Sequence, residues 1–149
     1  MEELKFKHSV GHLFHNINLN MRKRLEKEIK DFGFTSGHQF GVLLLLSKKN
    51  LSQKEISDAT LADEPSTTRM LDRMIKKQII GKRRSTEDKR KQVVYITDEG
   101  MELLTKILPV VKRNNAYVED LLEEEELKQL YKTLNKINDK MKDNKEMNG

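Results

Sequence analysis

LSQKEISDAT (51–60), LADEPSTTRMLDRMIKKQII (61–80) and GKRRSTEDKRKQVVYIT (81–97) follow one another directly and carry the pattern of two short helices and a charged hairpin. Ser52 and Glu55 have the spacing of a capping box in front of a short helix. A tight turn at Leu61 and Ala62 follows. Asp63 or Glu64 then caps another helix, with Pro65 in its first turn, where the missing N–H has no partner to lose. In that helix Met70, Leu71 and Met74 take the buried side. Ser66, Arg69 and Arg73 are spaced three and four apart and share another face, with Thr68 next to it. Residues 79–84 and 92–96 read as two strands around STEDKRK (85–91), which is too charged to pack and rich in turn formers.

Outward from this stretch the chain is helical. Apolar residues recur in steps of three and four from residue 6 to 32, through Val10, Leu13, Phe14, Ile17, Met21, Leu25 and Ile29, and Gly33 supplies a stop. Thr35 or Ser36 caps a second helix, and Ser36 with Gln39 has capping-box spacing. Its body, QFGVLLLLSKK (39–49), is apolar on nearly every side, as a central buried helix requires. After the strands, Thr97 caps a fifth helix whose acids sit at its start, where the helix dipole favours them. Pro109 should kink it or shift its register. The acidic run 123–126 opens a sixth helix through about Met141, with Leu127, Leu130, Leu134 and Ile137 on one side, and KDNKEMNG (142–149) is expected to fray.

Composition narrows the function classes. Hydrophobic and charged residues each make up 36%, a balance that favours long, half-exposed helices. There is no cysteine, which excludes disulfides, thiolate metal sites and thiol redox sensing. The longest wholly apolar run, residues 42–46, is far too short to span a bilayer, and MEELKFKHS (1–9) has no secretory apolar core. A cytoplasmic protein with no membrane partner is expected. Net charge is +5, but residues 69–91 carry ten basic and three acidic side chains, a local +7, while the rest of the chain is at −2. Charge focused in this way is what a phosphate-binding surface needs.

The expected fold class is therefore mainly α with a small β-hairpin wing. The third and fourth helices plus the hairpin make a winged helix-turn-helix, spanning 35–97 of one domain that covers 1–149. Apolar stripes at 6–32 and 98–142, from both chain ends, have no obvious core of their own, so a second copy is expected to cover them as a helical dimerisation region.

These residues resemble the MarR-type (multiple antibiotic resistance regulator) winged-helix transcription factors. TRMLDRM (68–74) looks like the family's recognition-helix core. Asp88-Lys89-Arg90 leading into VVYIT (93–97) looks like its wing signature, and TDEG (97–100) like the opening of its fifth helix. The resemblance in element order covers roughly 6–142. It implies a homodimer that binds double-stranded DNA at a pseudo-palindromic operator, with Arg90 entering the minor groove and Asp88 holding the wing. It also implies an unknown small-molecule effector, often an aromatic or phenolic anion, in a pocket walled by the first, second and fifth helices. The family usually has glycine where Gln78 sits and a serine-like cap where Glu123 sits; a left-handed backbone at Gln78 would carry about 1 kcal/mol of strain.

The candidate interface is then Ser66, Thr68, Arg69 and Arg73 on the recognition helix and Asp88, Lys89, Arg90 and Lys91 in the wing. Hydroxyls reach bases or phosphates, and arginine reads guanine bidentately. Gln53, Lys54 and Arg84 are candidate phosphate contacts. His8, His12 and His15, spaced four and three, with His38 on the next helix, could ligate a metal such as zinc, although neither cysteine nor a histidine of the fifth helix completes a set; a solvated or dimer-packed face accounts for them as well. No cofactor is implied. No Cys-His or Ser-His-Asp set and no glycine-rich phosphate loop exists, so catalysis is not expected. Two alternatives stay open: a zinc-responsive regulator of the same fold, and an interaction module that has lost DNA binding.

Overall fold

The structure is a computed structural model that describes residues 6–34 and 36–148. Eight elements follow one another: α1 (Val10–Ile29), α2 (Gly37–Leu46), α3 (Gln53–Thr60), α4 (Glu64–Lys76), β1 (Ile80–Arg84), β2 (Gln92–Ile96), α5 (Asp98–Glu119) and α6 (Glu124–Asn148), with single 3-10 turns at Phe6–His8 and Lys30–Phe32. Among the described residues no helix is long and apolar enough to cross a membrane.

Caps place the helix boundaries. Ser9 accepts a bond from the His12 N–H and starts α1 there, so the first helix is shorter than its apolar periodicity and is preceded by a separate turn. Gly33 ends the segment in the left-handed conformation, at φ 81°. Thr35, one expected cap of α2, lies outside the described residues. Ser36 is the N-cap but makes no side-chain capping bond, and the expected box with Gln39 does not form: Gln39 is buried instead. The capping box of Ser52 and Glu55 forms in full and holds the Glu55 carboxyl below its ordinary range, through the Ser52 backbone N–H first and its hydroxyl second. At the start of α6 the Glu123 N–H is capped by Glu126 at 3.1 Å. That helix extends past Met141 to Asn148, as no proline or glycine interrupts KDNKEMN.

Two compact units divide after Lys112. The first holds one apolar core built from Ile29, Phe34, Phe40, Val42, Leu43, Leu46, Leu51, Ile56, Leu71, Met74, Ile80, Val94, Leu104 and Ile107, among others. On α4 the buried stripe is Thr67, Leu71 and Met74, with Met70 only partly covered. Leu71 and Met74 are wholly removed from water, a burial that stabilises by about 1.5–3 kcal/mol each. In the second unit the Tyr131 hydroxyl donates to Glu119, a bond that raises the phenol's pKa. Apolar stripes remain uncovered: Val10, Leu13, Phe14 and Ile17 on α1 are 43–63% exposed, and Tyr131 and Met141 on α6 are 46% and 66% exposed.

The hairpin is antiparallel, with Ile80 opposite Ile96 and Arg84 opposite Gln92. A two-stranded sheet this small is marginal in water. Here it is anchored three ways. Ile80 and Val94 enter the core. Leu51 adds a one-residue bridge, exchanging backbone bonds with Val94 at 3.2 and 2.7 Å. Its base is clamped to both neighbouring helices. Gln78, at φ 61°, turns the chain out of α4 in the left-handed conformation, and as a residue other than glycine it carries the strain of that geometry. Its carbonyl accepts from the Thr97 hydroxyl at 2.7 Å, and the Thr97 hydroxyl oxygen accepts the Gly100 N–H at 3.0 Å.

The clamp leaves no room at Gly100. A Cβ there would lie 2.1 Å from the Ile79 carbonyl oxygen, a backbone atom that cannot swing away. Gly100→Ala should therefore destabilise the fold by about 1–3 kcal/mol. A urea titration should show a lower midpoint with an unchanged slope; an unshifted midpoint would show that the base of the hairpin is looser than described.

Candidate nucleic-acid interface

Asp63 organises the start of α4. Its Oδ1 accepts the Ser66 N–H at 2.7 Å and its Oδ2 the Ser66 hydroxyl at 2.9 Å. These two bonds, the backbone one first, hold the Asp63 carboxyl below its ordinary range. The Ser66 hydroxyl oxygen in turn accepts from Arg69 Nη2 at 3.2 Å. Asp63, Ser66 and Arg69 thus form a relay along one exposed edge of the helix, as their three-residue spacing dictates. Arg73 lies on the exposed side one turn later. Thr68 behaves differently: its hydroxyl donates to the Glu64 carbonyl at 3.0 Å and accepts from Gln53 Nε2 at 2.6 Å. Gln53 Oε1 accepts from Lys82 Nζ at 3.4 Å. The amide of Gln53 is therefore engaged by two protein partners, while Lys54 beside it is exposed.

The loop between the strands is ordered by its own polar groups. The Ser85 N–H donates to the Lys91 carbonyl at 2.8 Å and closes the loop at its neck. The Ser85 hydroxyl accepts the N–H groups of Glu87 and Asp88 at 3.2 and 3.4 Å. Asp88 Oδ1 accepts both the backbone N–H and the Nε of Arg90, at 3.0 and 3.3 Å. This is an Asx-type turn that fixes the root of the arginine, and the Arg90 side chain beyond it is 92% exposed. An ion pair so exposed adds little stability; its effect is to aim the guanidinium. Arg84, Lys89 and Lys91 are exposed around it.

Two features of the wing are not legible as motifs. The Arg83 guanidinium stands 5.1 Å from the centroid of the Tyr95 ring, in cation–π range. Tyr95 lies opposite Gly81, where a Cβ would meet the ring at 2.5 Å, so the glycine makes room for the aromatic. Lys77 donates to the Gly33 carbonyl and ties the end of α4 to the end of the α1 segment.

A cleft of about 390 Å³ runs beside α4, lined by Ser36 and His38 of the α2 start, Leu61 of the turn, and Ser66, Met70 and Arg73. Of the walls expected for an effector pocket, only α2 contributes here. The histidine cluster does not assemble: Ser9 interrupts the helix, so His8 belongs to the preceding turn and only His12 and His15 lie on α1. His12 contacts Asn16 at 3.0 Å. Among the described residues no group of three His, Asp or Glu side chains is placed to hold a metal ion.

Comparison with known proteins follows the same lines. The family model described as transcriptional regulator SarA/Rot matches residues 23–107, more than half of the chain. The HTH-type transcriptional regulator BilQ of Clostridioides difficile (strain CD3) is 25% identical over 131 residues, covering 88% of each chain. Among solved structures, the transcriptional repressor CouR bound to a 23-mer DNA duplex superposes with a TM-score of 0.79 at 25% identity, over 91% of this chain and 99% of that one. AbsC, a MarR family transcriptional regulator from Streptomyces coelicolor, superposes with a TM-score of 0.81 over 95% of this chain and 99% of that one; at 21% identity this is a likeness of fold.

The loop geometry makes a direct prediction. Asp88→Ala removes the acceptor of the Arg90 N–H. Amide hydrogen exchange at Arg90 should accelerate about two- to tenfold, the worth of one net hydrogen bond, while Val94 and Ile96 keep their protection. Unchanged exchange at Arg90 would mean that Asp88 does not brace the wing.

Proposed function

Because the chain belongs to the SarA/Rot family of transcriptional regulators, whose winged-helix fold is MarR-like, we propose that it is a ligand-responsive repressor that binds a pseudo-palindromic operator as a homodimer. The family makes it a DNA-binding transcriptional regulator and not an enzyme. The observation that carries the finer reading is the convergence of the +7 segment, the exposed Arg69 and Arg73 and the aimed Arg90 on one winged helix-turn-helix.

In this reading α4 enters the major groove, with Ser66, Thr68 and Arg69 near the bases and Arg73 a turn further along on phosphate. The wing lies over the neighbouring minor groove, whose narrow, electronegative A·T stretches suit the Arg90 guanidinium. Asp88 holds it, and Lys54, Arg84, Lys89 and Lys91 meet the backbone. The uncovered apolar side chains on the first half of α1 and on α6 support a second copy, since exposed apolar side chains clustered on a helix face are stabilised by mutual burial. The protein acts in the cytoplasm, where its DNA partner is. A cleft of about 390 Å³ is of small-molecule size. Because Ser66 and Arg73 line it, an effector seated there would compete with DNA for the same side chains.

Light scattering at micromolar protein should return twice the 17.5 kDa chain mass; a clean monomer would sink the dimer. The contact roles separate on a salt series with operator and scrambled duplex. Wild-type affinity should fall steeply with salt, on the order of 6–10 phosphate contacts per dimer. Arg90→Ala should weaken binding by about 1–3 kcal/mol with the fold intact. Arg69→Ala should relax sequence preference, and Arg73→Ala should weaken all sequences alike. A wild-type salt slope near zero would rule out phosphate-driven binding, and a uniform loss from Arg69→Ala would reverse the assigned roles.

A further inference from the structure

Gln53 stands where a phosphate contact is expected, at the first residue of α3, yet both ends of its amide face protein. Nε2 donates to Thr68 on α4, at 2.6 Å, and Oε1 accepts from Lys82 on β1, at 3.4 Å. One side chain thus links the supporting helix, the recognition helix and the stem of the wing. Chemistry fixes its orientation. The Thr68 hydroxyl spends its hydrogen on the Glu64 carbonyl, so it can only accept from Gln53. Flipping the amide would set oxygen against that oxygen and an NH₂ against an ammonium.

Lys82 sits on the hairpin face that carries the buried Ile80 and Val94, with Val94 directly across from it. Its backbone is held in the strand ladder, and its exposed side chain reaches the start of α3. Among the described residues Lys82 forms no salt bridge, so its charge is held by a neutral amide and stays uncompensated.

We infer that Gln53 is a positioning residue for DNA binding, which acts through Lys82 and Thr68 rather than by touching phosphate itself. Its amide presents the Lys82 ammonium to a backbone phosphate, and it fixes the Thr68 side chain on the reading helix in one rotamer. The wing stem and the recognition helix are then set relative to each other by one side chain. This inference rests on the DNA-binding reading above. It assigns DNA contact to Lys82, a residue that charge counting alone does not separate from its neighbours.

Salt dependence separates the two roles. A neutral glutamine that touches phosphate releases no counterion, so its loss leaves the salt slope unchanged; a glutamine that holds a lysine on phosphate changes the slope when removed. The probe is a duplex enriched from a random-sequence pool by the wild-type protein, with a scrambled duplex beside it. Gln53→Ala, Lys82→Met, Thr68→Val and the Gln53→Ala/Lys82→Met double variant are titrated by fluorescence anisotropy over a salt series. Gln53→Ala should weaken binding to the enriched duplex by about two- to tenfold. It should lower the slope of log affinity against log salt toward that of Lys82→Met, a change of roughly one per protomer. The double variant should lose no more than the larger single loss. Thr68→Val should narrow the ratio between enriched and scrambled duplex. Gln53→Met, which keeps the length of the side chain, should repeat the Gln53→Ala result and replaces it if the alanine variant unfolds in urea earlier than wild type. An unchanged slope with additive losses would overturn the inference and make Gln53 a direct contact, leaving the DNA-binding reading intact. No enriched duplex and a flat wild-type slope would overturn both.

Discussion

A hairpin of ten strand residues cannot stand alone in water, so everything that this protein does with its wing depends on how the hairpin is fastened. The fastening is a junction of a few atoms. Gln78 leaves α4 in a left-handed turn, the Thr97 hydroxyl bonds its carbonyl, and Gly100 lets the start of α5 pass against the Ile79 carbonyl. The Leu51 bridge fastens the same strand from the side of α3. A strained residue and a crowded glycine are tolerated here because the burial of Ile80 and Val94 in the core stabilises by more than they cost.

With the junction closed, electrostatics takes over. Concentrating a net +7 in 23 consecutive residues is self-repelling, and the few acids nearby are placed with economy. Asp88 fixes the root of Arg90 and leaves its guanidinium outside; Asp63 caps α4 and orders Ser66, which receives Arg69. With three acids against ten cations between residues 69 and 91, the surface stays positive. The result is a set of cations whose roots are ordered and whose heads are exposed, which lowers the entropy that a polyanion must remove on binding.

Much of this was legible from local chemistry. The Ser52–Glu55 box, the Asp63 cap, the Gly33 stop and the two strands around the charged loop act over short stretches of chain, and each stands where the local pattern puts it. Where local signals competed, the sequence misled. The apolar stripe of α1 masked the break at Ser9, and the Ser36–Gln39 spacing matched a box that burial of Gln39 pre-empts. The sixth helix likewise extends beyond the Met141 bound that its apolar stripe suggests.

The order of elements, the apolar stripes and the place of the charge follow from the chain alone, because periodicity, caps and net charge are properties of neighbours along it. Which polar groups meet is a matter of packing. Gln53 and Thr68 are 15 residues apart, Gln53 and Lys82 are 29 apart, and Leu51 pairs with a strand residue beyond both. A glutamine at the start of a helix has the same local pattern whether it faces phosphate or a threonine. The choice is made by the packing of α3 against α4 and of the hairpin against both, which brings a hydroxyl and an ammonium to opposite ends of one amide.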